Sequence, residues 1–413
     1  MDVIIVGGGV VGLCCAYYLQ RDGAKVTVVD RGTITDGCSF GNMGYISPSH
    51  FTPLASPGII SQGLKWMLRS SSPFYIKPRL DPGLVRWALQ FWKSSNAATV
   101  EKHIPHLDAL LQLSRSQMKE LRRDMTIPFP MEEKGCWMLY KLAATGEHEK
   151  HLADHAGKLG LRTVICSAQE VQEREPDVEV DVLGGVLYED DCHVEPRAFM
   201  EALKQHLAQH GVRFLIQQDV RSVTVQGGRC RVSLETGSMD AGQEVVANGS
   251  WMQRLARTAG VKLLMQPGKG YSVAYDNLPK NLQRPAILVD DRTATTPIGS
   301  WLRIGGTMEL SGHDDKILPK RVMALYNAFQ KYYPKVDLAP PSIDTAWYGY
   351  RPVTPDGLPY IGRAQNEAQV IFAGGHAMLG VSAAAGTGLL VAQLASGKQP
   401  AIDLSAFHPG RFS

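Results

Sequence analysis

Gly7, Gly9 and Gly12 stand in the spacing Gly-x-Gly-x-x-Gly, directly after the apolar run Val3-Ile4-Ile5-Val6 and at the head of a helical pattern. In that context each glycine has its own task. Gly7 permits a tight turn, Gly9 lets a pyrophosphate approach the backbone, and Gly12 allows helix and strand to pack closely. The helix N-terminus, with Val10 and Val11 in its first turn, offers N–H groups and positive potential to an anion. Asp30 ends the next strand, Lys25 to Asp30, where a carboxylate can accept from both ribose hydroxyls, and Arg31 follows it at the same end. These residues predict a dinucleotide site. They do not choose between FAD and NAD, because an acid at position 30 serves the adenosine ribose of either.

Three further segments have the composition of a site. Cys38-Ser39-Phe40-Gly41-Asn42-Met43-Gly44-Tyr45-Ile46-Ser47-Pro48 is small, polar and glycine-rich, so its backbone N–H groups and the Ser39 and Asn42 side chains can lie against a flat ring. Trp347-Tyr348-Gly349-Tyr350-Arg351-Pro352-Val353-Thr354-Pro355-Asp356-Gly357-Leu358-Pro359 contains Arg351, whose guanidinium fork can pair bidentately with a carboxylate and fix its plane. Phe372-Ala373-Gly374-Gly375-His376-Ala377-Met378-Leu379-Gly380-Val381-Ser382 opens an Ala- and Gly-rich helix whose N-terminus can direct dipoles at accumulating negative charge.

With Pro267-Gly268-Lys269-Gly270-Tyr271-Ser272, Arg303-Ile304-Gly305-Gly306-Thr307-Met308-Glu309 and His193-Val194-Glu195-Pro196-Arg197, these segments resemble the D-amino-acid oxidase/dehydrogenase family of FAD enzymes, and most of all its bacterial D-amino-acid dehydrogenases. The resemblance covers nearly the whole chain. It implies FAD as cofactor, held non-covalently, since no cysteine falls in the last segment. Ser39, Asn42, Met43 and Gly44 would lie along the pyrophosphate and flavin, Val220 near the adenine, and Gly349, Gly375, Leu379, Gly380, Val381 and Ser382 around the flavin. Arg351 would bind the substrate carboxylate, with His376 and Tyr271 as further catalytic candidates. Plainer roles stay open. Arg351 could be salt-bridged within the fold, His376 could bond backbone, and Tyr45, Tyr271 and Tyr350 could be buried aromatics with one hydrogen bond each. Glu309 could be structural, Asp356 could cap a turn, and His50 could face the pocket mouth or sit solvated in a loop.

The implied reaction is oxidative deamination of a small D-amino acid to the imine and 2-keto acid. Hydride leaves Cα for flavin N5, assisted by the lone pair of a neutral amine that a desolvated site favours, so no dedicated base is required. Electrons then pass to a quinone or other acceptor, with oxygen left open. Glycine, sarcosine or a cyclic secondary amino acid such as D-proline or 4-hydroxy-D-proline is the alternative substrate. An NAD dehydrogenase and a non-enzymatic flavin protein are the readings from other classes.

The elements that must position these residues follow from periodicity. Val3 to Asp30 reads as a βαβ unit, His106 to Met125 and Gly146 to Leu161 as helices, and Val220 to Leu234 as a meander. Glu244 to Gly249 looks like a strand returning to the first sheet, and 262–344 alternates like an antiparallel sheet with a helix near Pro319 to Tyr332. The expected fold class is α/β, with a Rossmann-like FAD-binding domain of discontinuous segments (1–54, 146–260 and 345–413) and an α+β substrate domain (55–145 and 261–344) whose sheet is mainly antiparallel. A chain of 413 residues, 44% hydrophobic, suits two domains. Its net charge of +3 carries no block of like charges, which argues against nucleic acid as a partner. The 7 scattered cysteines fit reduced thiols in the cytoplasm. The first strand begins almost at Met1, leaving no room for a secretory leader, and no stretch approaches the roughly 20 apolar residues that span a bilayer. The apolar stretch 51–92, which includes Ile59, Ile60, Leu64, Trp66, Met67, Leu68, Trp87, Phe91 and Trp92, could still touch the inner face of a membrane; core packing or a lid is the commoner use of such a stretch.

Overall fold

The computed structural model describes residues 1–56 and 74–412. Strand Asp2–Val6 is buried from Val3 onward, as a strand covered on both faces must be, and it sits inside a six-stranded sheet. Lys25–Val29 and Gln243–Val246 flank it in parallel register, with Ile4 opposite Thr27 and Glu244. Arg213–Leu215 extends one side; Val370–Gly374 and the antiparallel edge strand Tyr360–Arg363 extend the other. The expected meander forms a separate sheet of Val220–Gln226, Arg229–Leu234 and Gly237–Ala241.

Helices Val10–Arg21 and Gly380–Ala395 pack on each other through small residues; a Cβ at Gly388 would come within 2.6 Å of the Cys14 carbonyl. Helix Ala97–Asp124 covers the other side of Gly380–Ala395, where the Gly386 N–H donates to Ser114 Oγ at 3.1 Å. The stretch Ala377–Ala395 has the length and hydropathy of a candidate membrane span, which corrects the expectation that none would; most of it is buried here as a core helix. Helix Ala97–Asp124 begins well before the expected His106. Asn96 caps it by accepting from the Thr99 N–H at 3.0 Å, and it runs through Pro105. Buried Val100, Ile104 and Leu107 offset the proline's lost hydrogen bond and ring clash, a cost of about 3 kcal/mol.

Among the described residues the large sheet has nine strands, mostly antiparallel. Trp347–Val353, Gln266–Tyr275, Trp301–Leu310, Thr293–Ile298, Ala286–Leu288, Cys136–Tyr140, Gly184–Tyr188 and Thr163–Ser167 follow in that order, and Phe74–Ile76 pairs with the end of Trp301–Leu310. Helix Pro319–Tyr332 backs it with Val322, Leu325 and Phe329. Thr163–Ser167 and Gly184–Tyr188 were expected with the FAD-binding segments and pair in this sheet instead. Conversely, Met118 and Leu121 of helix Ala97–Asp124, expected in the substrate domain, pack into the core around Val10–Arg21. Of the stretch 51–92, Ile59, Ile60, Leu64, Trp66, Met67 and Leu68 lie outside the described residues. Pro82–Ser94 is a helix capped by Asp81, with Leu84 and Trp87 buried and Val85, Leu89 and Trp92 exposed.

Candidate active site

A cavity of about 1210 Å³ opens between the six-stranded and nine-stranded sheets, lined by residues of both. At one end lies the glycine turn. Gly7 has φ +107°, and a Cβ there would come within 2.6 Å of the Ala247 carbonyl; a Cβ at Gly12 would overlap the Gly7 carbonyl. Gly9 is different. Its φ of −67° suits any residue, and a Cβ would meet only Ser39 Oγ at 3.4 Å, so the need for glycine there comes from the cavity. The helix that follows has no side-chain cap and no acid in its first turn, which leaves its N–H groups to a ligand, although Val10 N–H donates to Ser39 Oγ at 3.2 Å. Asp30 is aimed by backbone, its two oxygens accepting from Gly8 N–H at 2.6 Å and Gly32 N–H at 2.7 Å.

Arg31 lies over the Trp251 ring at 3.6 Å, and Trp251 stacks on His313 at 4.7 Å, forming a wall that motif reading missed. Val11 and Val220 also line the cavity, and the Val220 carbonyl accepts from Arg254 at 2.8 Å. On the same wall Asn248 Oδ1 is buried without a hydrogen-bond partner among the described residues.

The 38–48 segment runs between the two sheets. Asn42 Oδ1 accepts from the Gly44 N–H at 2.8 Å, so this side chain closes its own turn instead of lying free against a ring. The Asn42 carbonyl accepts from Arg303, and the Met43 carbonyl accepts from Thr296 Oγ1 at 2.7 Å. Gly44 takes φ +79°. Ser382 Oγ donates to the Tyr45 carbonyl at 2.7 Å, tying the segment to helix Gly380–Ala395. That helix also lacks a side-chain cap, and a Cβ at Gly380 would meet nothing within 4 Å, so the backbone at Gly380 and Val381 borders the cavity, where Leu379, whose N–H donates to the His376 carbonyl at 2.8 Å, also lies. Gly375 turns the chain into it at φ +80°. Gly349 lines the cavity and, with Gly41, makes room for the Trp347 ring.

Arg351 reaches the cavity from strand Trp347–Val353, and a Cβ at Gly270 on the neighbouring strand would overlap its guanidinium. It donates to the Thr307 and Gly306 carbonyls, and burial holds its pKa down at about 10. Among the described residues no carboxylate pairs with it, which removes the internal salt bridge that the sequence left open. Thr307 holds φ +60°, a strained conformation for a β-branched residue, and so turns its carbonyl to Arg351.

The other two catalytic candidates line the cavity with their polar atoms committed. Tyr271 hydroxyl donates to Glu309 Oε2 at 2.8 Å, and Glu309 also meets buried Lys269 at 3.4 Å and Arg321 at 3.7 Å. His376 Nε2 bonds Thr387 Oγ1 at 2.9 Å, and burial pushes its pKa down to about 3, so the ring is neutral. Tyr45 hydroxyl bonds the Thr295 and Ala286 carbonyls at 2.7 and 3.0 Å, and Tyr350 hydroxyl bonds Asp315 at 2.8 Å. Asp356 accepts from Leu358 N–H at 3.2 Å and pairs with Arg411 at 2.7 Å, a turn cap and a clamp on the C-terminal segment. Cys38 Sγ, at the head of the 38–48 segment, accepts from the Tyr350 N–H at 3.0 Å and lines the cavity. Beside Arg351 the wall is apolar: Leu54, Trp87, Phe91, Met308 and Val353 form one cluster, with Trp87 Nε1 donating to the Val353 carbonyl at 2.9 Å.

Two uncapped helix N-termini, an oriented carboxylate, an unpartnered amide oxygen and glycines that leave space fit a pyrophosphate, a ribose and a polar ring system. The comparisons agree. A family model described as FAD-dependent oxidoreductase matches residues 2–394. The D-amino acid dehydrogenase of Bradyrhizobium diazoefficiens is 32% identical over 432 residues, covering 100% of this chain and 99% of the relative. That of Granulibacter bethesdensis is 33% identical, covering 98% and 97%. Among solved structures, glycine oxidase from Geobacillus kaustophilus superposes with a TM-score of 0.80 at 24% identity, covering 100% and 99%. L-proline dehydrogenase from P. horikoshii gives 0.74 at 20%, covering 100% and 97%. Both share the fold. With the glycine turn, Asp30 and the open helix ends all facing one cavity, and a family match from the first strand to the last helix, this chain belongs to the FAD-dependent oxidoreductases.

Proposed function

We propose that the chain oxidises the amine of a small D-amino acid to the imine, which water hydrolyses to the 2-keto acid and ammonia. The observation that carries this is Arg351: a desolvated guanidinium facing the cavity, fixed by two carbonyls, with no carboxylate of its own among the described residues. A buried cation in that state is complementary to an incoming carboxylate. FAD, when bound, supplies the hydride acceptor. The protein's part is to hold the carboxylate so that Cα–H is aimed, and to exclude water so that the neutral amine is favoured. Relatives named D-amino acid dehydrogenase support the choice of substrate.

Electrons go on to a quinone or other acceptor. Helix Pro82–Ser94 supports a membrane-borne quinone and peripheral contact with the inner membrane face from the cytoplasm. Its Trp87 and Phe91 line the cavity while Val85, Leu89 and Trp92 form an exposed apolar stripe. The test is anaerobic titration of the FAD-loaded protein with D- and L-amino acids, glycine, sarcosine and the proline and 4-hydroxyproline isomers. Bleaching of flavin absorbance by D-isomers is expected; bleaching by L-isomers or glycine alone would overturn the assignment.

A further inference from the structure

Ser49, His50 and Asp191 form a hydrogen-bonded chain that the reaction as described leaves unused. His50 lines the cavity, and its Nδ1 lies 3.1 Å from Ser49 Oγ. Ser49 Oγ donates to Asp191 Oδ2 at 2.6 Å, and the Ser49 N–H donates to Asp191 Oδ1 at 3.1 Å. Asp191 is 1% exposed. Two residues before Ser49, the Ser47 N–H donates to Ser382 Oγ at 3.2 Å, so the chain is anchored beside the open N-terminus of helix Gly380–Ala395.

The groups facing Asp191 are Ser47 from the segment that carries Ser49, Arg115 of helix Ala97–Asp124, Cys136, Tyr188 and Cys192. Burial keeps both thiols and the phenol protonated, and Arg115 is paired with Asp190 at 3.0 Å. Among the described residues Asp191 is therefore a buried carboxyl without a cation of its own, reached from the cavity through two side chains.

We propose that His50, Ser49 and Asp191 are a proton relay that takes the proton from the substrate's ammonium group and holds it on Asp191 while the Cα–H bond breaks. The inference rests on reading the cavity as an amine-oxidising site. An ammonium has no lone pair to assist hydride loss, so its proton must go before the chemistry. With the imidazole hydrogen on Nδ1, one N–H bond of the ammonium breaks as His50 Nε2 takes the proton. The Nδ1 hydrogen passes to Ser49 Oγ, and the Ser49 hydroxyl hydrogen passes to Asp191. No electron changes owner; ammonium and carboxylate become amine and carboxylic acid, and the proton returns as ammonia leaves. Burial supports this division of labour, pushing Asp191 up to about 7 and His50 down to about 4: the imidazole conducts and the carboxyl stores.

The test uses FAD-loaded enzyme and whichever amino compound of the panel bleaches the wild-type flavin best. A wrong substrate class thus shows in the panel, and a wrong relay only in the variants. The limiting rate of anaerobic bleaching is followed by stopped flow against pH for wild type, Ser49→Ala, His50→Gln and Asp191→Asn. At about pH 7 each variant is expected to be slower by roughly 10²-fold, recovering toward the wild-type rate at about pH 10, where solvent deprotonates the amine. Ser49→Ala leaves the carboxyl in place, and it decides the matter should Asp191→Asn fail to fold. A Ser49→Ala enzyme with the wild-type rate and pH profile, or one slowed by the same factor at every pH, would overturn the relay.

Discussion

At the scale of single residues, the chain keeps charge where solvent is scarce. Among the described residues Arg351 is held by carbonyls alone, so the desolvation that lowers its pKa is repaid only when an anion arrives. Arg351→Ala should raise the apparent dissociation constant of the amino acid by about 100-fold, the worth of a charged bidentate pair, with flavin absorbance retained. Gly270→Ala should do much the same by pushing the guanidinium aside, and a bleaching titration reads both. Glu149 tests the opposite sign. Buried on helix Ala143–Lys158, its carboxyl is raised from 4.5 to about 7, chiefly by burial. The folded state therefore binds the proton more tightly than the unfolded one. That contribution to stability is complete below the unfolded value and is lost as pH rises to about 7. Glu149→Gln mimics the protonated acid, so it should match wild type in acid and gain about 3 kcal/mol on it by neutral pH. Equal melting temperatures for the two proteins at mildly alkaline pH would refute it.

At the scale of elements, local pattern and distant pairing part company. The βαβ unit was legible because Gly7, Gly12 and the buried run Val3 to Val6 act within a few residues of one another. The C-terminal helix was legible for its small residues. What Thr163–Ser167 and Gly184–Tyr188 pair with was not, since partner choice in a sheet is a long-range matter that alternation does not encode. The same holds for the site. Arg351 stood out in its motif, whereas Asp191 and Arg303 act on residues far away in sequence, and nothing local announces that Tyr271 would spend its hydroxyl on Glu309. The glycine turn also separates fold from function. Gly9→Val should leave the thermal melt of the apoprotein nearly unchanged yet strip FAD from the purified protein. Gly12→Val should cost several kcal/mol of stability, because its Cβ has only backbone to displace. A colourless Gly12→Val protein that melts like wild type would contradict this account.

At the scale of the whole molecule, the cavity exists because one segment is strung between two sheets. Residues 42–45 are gripped by the large sheet through Arg303, Thr296 and the carbonyls that hold Tyr45, and by helix Gly380–Ala395 through Ser382. A ligand lying on that segment therefore stabilises the joint as well as itself, and saturating it at 100-fold over Kd should add about 2.7 kcal/mol to the folded state. Coupling runs both ways. Thr296 does not line the cavity, yet Thr296→Val would leave the Met43 carbonyl without its donor and loosen the segment from the sheet. The lost bond is worth about 1–3 kcal/mol, part of which must appear in cofactor binding, so FAD affinity should fall by roughly tenfold. Titrating apoprotein with FAD measures that directly. A thermal melt with and without FAD supplies the control: Thr296→Val should narrow the gap between the two melts, whereas a substitution that merely weakens the large sheet would lower both equally and leave the FAD affinity where it was.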